Sequence, residues 1–126
     1  MATIEYTSTD DTGSQDGSVI IYTWPLIATA NPNGAPIRAT QFADRYFTVK
    51  ASVWGAATLT IEGSNDGTNF WPLSNAAGGT AATFTADGGK SIIELPLWIR
   101  PNLTVVGTAA SMTVVLVARR ANPMRT

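Results

Sequence analysis

The chain has 126 residues, a formal net charge of -1 and 13% charged residues, roughly half the charged share of an ordinary soluble domain. That length fits one domain with a real hydrophobic core, and the charge balance offers no field to attract nucleic acid or an anionic membrane. Cysteine and histidine are both absent, which excludes disulfides, thiolate nucleophiles, imidazole bases and almost every zinc site.

Met1 to Gly17 is rich in Thr, Ser, Asp and Gly, with only Ile4 and Tyr6 able to anchor anything. It is expected to be an extended arm, either disordered or paired as a strand with a neighbouring subunit. Its polar, acidic character shows no secretory signal. Residues 18–119 are expected to form the folded body and 120–126 a short basic tail. Val19 to Ile27 is apolar on both parities, so both faces of that strand are expected to meet protein, one of them in another chain. Asn31-Pro-Asn-Gly34 ends it as a turn.

In Arg45 to Val53, Phe47, Val49, Ala51 and Val53 alternate with Tyr46, Thr48, Lys50 and Ser52, the period of a strand with one buried face, placed centrally. Ala57 to Glu62 alternates likewise, and Gly63-Ser-Asn-Asp-Gly-Thr-Asn69 turns it into Phe70-Trp-Pro-Leu73, whose proline marks an edge or a strand end. A short strand at Ala81 to Ala86 is turned by Asp87-Gly-Gly89 into Ser91 to Leu95. Leu97 to Arg100 follows, and Ser111 to Ala118 closes the chain with Met112, Val114, Leu116 and Ala118 on one face. The segment from Leu103 to Ala118 is too often interrupted by Thr, Ser and Gly to cross a membrane as a helix. About eight short antiparallel strands and no helical stripe predict an all-β, single-domain β-sandwich, jelly-roll-like in type.

The candidate chemistry is sparse. Ser64 to Asn69 clusters oxygen atoms but lacks the second carboxylate and closing glutamate of a calcium loop, so an ordinary turn is expected and no metal or cofactor. Trp24, Trp54, Trp71 and Trp98 could stack on sugars or bases, but each lies in or beside a strand, where a core or a subunit interface is the commoner use. A carboxylate-pair hydrolase would need Glu62 and Glu94, both on parities opposite the apolar residues. Arg119, Arg120 and Arg125 read as a solvated tail or salt-bridge partners. No catalytic set emerges, and a non-enzymatic protein without a small-molecule substrate is expected.

Three stretches carry a resemblance. Leu59-Thr-Ile-Glu-Gly-Ser-Asn-Asp-Gly-Thr-Asn-Phe-Trp71, Ile99-Arg-Pro-Asn-Leu-Thr-Val105 and Met112-Thr-Val-Val-Leu-Val-Ala-Arg119 look like small all-β virion proteins of tailed bacteriophages, closest in role to capsid decoration, or cement, proteins. The likeness covers roughly Phe47 to Arg119. It implies a structural subunit made in the host cytoplasm that binds the outer surface of the major capsid protein shell, stabilises it, and self-associates, as a homotrimer in preference to a dimer. Candidate subunit or capsid contacts are Ile4, Tyr6, Ile20, Tyr22, Trp24, Trp71, Trp98, Arg119 and Arg120. A glycan-binding sandwich module and a phage tail or baseplate subunit are the alternatives.

Overall fold

The computed structural model describes residues 3–10, 19–38, 42–76 and 79–120. Among them there is no helix, and twelve strands build two sheets that face each other as a β-sandwich. The five-stranded sheet runs β10 (Gly88–Ser91), β6 (Phe42–Val53), β12 (Ser111–Arg120), β3 (Val19–Ala28) and β2 (Thr7–Asp10). The other runs β1 (Thr3–Ile4), β4 (Asn33–Gly34), β11 (Trp98–Val105), β7 (Thr58–Ser64) and β8 (Trp71–Pro72), with β5 (Ile37–Arg38) also on β11 and β9 (Thr83–Phe84) also on β7. Pairing is antiparallel except between β1 and β4.

The period-2 pattern becomes the core directly. On β12, Met112, Val114, Leu116 and Ala118 are buried while Thr113, Val115 and Val117 are only half covered. Phe47 and Val49 of β6 point the same way, and Leu59, Ile61, Ile99 and Leu103 come down from the opposite sheet. Each such side chain contributes about 1.5–3 kcal/mol on leaving water. Trp24 has no exposed surface; it stacks on Phe47 with ring centroids 6.1 Å apart and gives its indole N–H to the Ala35 carbonyl at 2.9 Å. The buried indole is therefore satisfied, and it ties the two sheets together.

Several expectations shift. The central strand, the Ala57 hairpin and the closing strand form where the alternation places them, each lengthened or moved by a few residues. There are twelve strands instead of about eight because the seven-stranded sheet is assembled partly from two-residue pieces. The strand expected at Ser91 to Leu95 lies at Gly88–Ser91, so two glycines read as a turn are paired with Val49 and Thr48. Gly89 leaves room for Tyr46 there: a Cβ would stand 2.2 Å from the tyrosine hydroxyl and push that ring off the strand.

The front segment is not an arm throughout. Thr3–Ile4 pairs with β4 and Thr7–Asp10 with β3 of the same chain, because the sandwich offers its own open edges to the nearest extended segment. The remainder of the expected arm, 1–2 and 11–17, and the basic tail from 121 onward lie outside the described residues.

The apolar run of β3 has a local explanation too. Trp24 pairs with Val114 and Ile27 with Met112, so Pro25 and Leu26 together oppose Thr113, whose hydroxyl donates to the Pro25 carbonyl at 2.9 Å. This bulge switches parity, sending Tyr22, Trp24 and Ile27 all to the core.

Candidate interaction surface

The hairpin turn is organised by one carboxylate. Asp66 Oδ1 accepts the backbone N–H groups of Thr68 and Asn69 and the Ser64 hydroxyl, each at 2.8 Å, while Oδ2 accepts the Asn69 side-chain amide at 2.8 Å. Ser64 Oγ in turn accepts the N–H of Gly67 at 2.9 Å and of Asp66 at 3.2 Å. The N–H groups of Asn69 and Thr68, then the Asn69 and Ser64 side chains, hold the Asp66 carboxyl far below its ordinary range. Gly67, at φ 77°, packs against the Trp98 indole.

Beside this turn, residues 92–97 form a strap. Ile92 N–H donates to Arg45 O at 3.2 Å, Ile93 N–H to Ser74 O at 3.3 Å and Leu97 N–H to Asn65 Oδ1 at 3.3 Å, while Glu94 Oε1 accepts the Ser74 N–H at 2.6 Å. Partial burial raises the Glu94 carboxyl, but the Ser74 hydrogen bonds and the Arg45 charge outweigh it, and the net shift is downward. Pro96 rests on Gly63, where a Cβ would come within 2.5 Å of Pro96 Cγ and 2.7 Å of Leu73 Cδ2. Ile92 anchors the strap in the core, at 4% exposure, whereas Ile93 is 53% exposed and Leu95 63%, and Leu97 is exposed as well.

Trp71 on the edge strand β8 is 71% exposed and borders an open depression of about 250 Å³ shared with Pro72, Glu94 and Pro96. Its neighbour Phe70 is held from below, with the Arg100 guanidinium 3.9 Å from the ring centroid and that guanidinium bonded to Glu62 Oε1. Trp71 thus shares the depression with Glu94 and Pro96, and Ile93, Leu95 and Leu97 are exposed along the strap that supplies those two residues. Four large apolar side chains left exposed on two adjoining segments make this end the candidate interaction surface.

The sequence-selected contacts separate into groups. Tyr6 packs edge-on to Tyr22 at 5.6 Å and lies 6.1 Å from Trp24, with Ile4 and Ile20 partly buried against the core. Trp24 and Tyr22 are spent inside the chain: Trp24 is withdrawn as a subunit contact by its complete burial, and Tyr22 keeps only 9% of its surface. Arg119 and Arg120 are exposed at the end of β12. Trp71 shares its register with Gly63 and Ile99, whereas Trp98 shares its register with Ser64 and lies under the Arg38 guanidinium, so the two tryptophans lie on opposite sides of their sheet and form no joint platform. The strap residues went unnoticed in sequence because Ser91 to Leu95 alternates like a strand, a reading that turns Ile93 and Leu95 inward.

No family model matches the chain, and no curated protein is similar to it. Among solved structures, the SPBc2 prophage-derived protein YomS is similar at a TM-score of 0.47 and 6% identity, over 77% of this chain and 94% of that one.

Proposed function

We propose that the chain is a non-enzymatic virion structural subunit, a capsid decoration protein that docks on the major capsid protein of a tailed phage and reinforces the shell. The observation that carries this reading is the exposure of Trp71 on the edge strand and of Ile93, Leu95 and Leu97 on the neighbouring strap, both held in place by the Asp66 turn and the Glu94 hydrogen bond. The residues that resemble phage virion proteins, Leu59 to Trp71 and Ile99 to Val105, build that base. A preorganised apolar rim gains affinity because little ordering entropy is lost on docking, and several copies on one shell add by avidity. The acidic neighbours Asp66 and Glu94 favour a basic border on the partner.

The test is occupancy on particles stripped of the protein. Wild type saturates the shell and raises the temperature of DNA release, while W71D, with unchanged circular dichroism, leaves the shell bare. Equal occupancy by W71D, or recovery of the wild type only with tails, overturns the reading. The exposure of Trp71 beside Asn65 and Glu94 supports one alternative, a glycan contact. Saturable glycan-array binding lost in W71A would favour it.

A further inference from the structure

The two outer faces of the sandwich differ in kind. The face carrying Glu62, Arg100 and Asn102 is polar and partly roofed by Phe70. On the five-stranded sheet, two transverse rows cross all five strands without a charge. The first is Thr9, Ile21, Val117, Tyr46 and Ser91; the second is Thr7, Thr23, Val115, Thr48 and Gly89. An antiparallel sheet with one solvated face alternates apolar with polar residues, yet β12 reads apolar on both faces from Val114 to Ala118. The Tyr46 ring laid across Gly89 extends this face to the β10 edge. Among the described residues, charges return only at its ends, with Asp44 beside Arg119 at one and Lys50, paired with Asp87 at 3.9 Å, at the other.

We infer that this face binds the same face of a second copy, in an isologous two-fold dimer. Along β6 the uncharged rows at Tyr46 and Thr48 lie symmetrically between Asp44 and Lys50. A two-fold axis lying between the stacked sheets and running across the strands superposes the Val117 row on the partner's Val115 row. The same operation sets Asp44 opposite the partner subunit's Lys50, and Lys50 opposite the partner subunit's Asp44. The strands then stay aligned, as stacked sheets require. Five strands about 4.8 Å apart and six residue steps of about 3.3 Å give a face roughly 20 Å on a side. Side-chain relief brings its accessible area toward the roughly 800 Å² per partner of a standard interface.

The experiment is sedimentation of the full chain with two variants whose changes point outward. Wild type is expected to be a dimer at tens of micromolar. V117K is expected to be monomeric there with an unchanged circular dichroism spectrum, and K50E, facing the partner's Asp44, to dissociate about tenfold more readily. Because the chain has no cysteine, V115C carries a single thiol, and a short bismaleimide should link it to its twin in high yield. A wild-type monomer or trimer at hundreds of micromolar, a V117K dimer as tight as wild type, or no crosslink at V115C in a solution dimer overturns the inference. Shell binding plays no part in these measurements, so their failure is separate from failure of the decoration reading.

Discussion

Glu62 and Arg100 face each other across β7 and β11, with Glu62 Oε1 accepting Arg100 Nη2 at 3.0 Å and Nε at 3.1 Å, and with Phe70 closing over the guanidinium. The glutamate side chain is 10% exposed and the arginine 23%, so solvent screens this pair less than a surface ion pair. Glu62→Gln leaves a covered guanidinium without its counter-charge. It should cost about 2 kcal/mol, below the 3–5 kcal/mol typical of a fully buried pair because both groups keep some solvent. A melting temperature within a degree of wild type would contradict this.

Acid should loosen the Asp66 turn and the Asp87 contact. Asp66 is shifted downward by the N–H groups it accepts, and Asp87 by the Ala51 N–H first and then the Trp54 indole. A depressed carboxyl contributes stability that is present above its unfolded value, near 4, and lost as pH falls through the folded value. The melting temperature of wild type should therefore exceed that of Asp66→Asn near neutrality, and the gap should close progressively below about pH 4. A gap that persists undiminished at pH 2 would show that the carboxylate charge is not the source.

Among the described residues, two alanines sit in the left-handed region, Ala56 at φ 64° and Ala109 at φ 57°. That conformation costs a non-glycine residue about 1–2 kcal/mol, partly offset by the larger unfolded-state entropy of glycine. Ala109→Gly should raise stability by about 0.5–1 kcal/mol. Gly107→Ala should lower it, because Gly107 has φ 70° and a Cβ there would lie 2.5 Å from the Gly55 carbonyl oxygen. Thermal melts of both variants check the opposite signs.

Arg45 is only 4% exposed, and its Nε and Nη2 make no hydrogen bond. Burial pushes the guanidinium pKa down, against the opposing pull of Glu94. Unsatisfied N–H groups and a charge held away from water are both costly. Arg45→Met keeps the apolar stem and removes both costs, so it should stabilise the fold by about 1 kcal/mol. Destabilisation in a denaturant titration would show that Arg45 has a role the apolar side chain cannot replace.

The sequence by itself determined the fold class and the inward set of the long strands. Alternation at Phe47–Val49, Leu59–Ile61 and Met112–Ala118 is a local property of side-chain direction, and no tertiary information is needed to read it. It also determined the turn at Asn65 to Asn69, whose residues bond their own backbone. Tertiary structure decided what depends on distant partners. Gly88 and Gly89 became strand by pairing with Val49 and Thr48, about forty residues earlier, with Tyr46 lying across Gly89. Ile92 to Leu95 left the sheet because Ser74, Asn65 and Arg45 hold residues 92–97 as a strap, turning Ile93 and Leu95 outward against their alternation. Ile27 joined Tyr22 and Trp24 in the core through a bulge opposite Thr113 that no period announces. The candidate surface was legible only at Trp71, since a side chain's exposure depends on what the rest of the chain lays over it, and that is fixed only when the two sheets close.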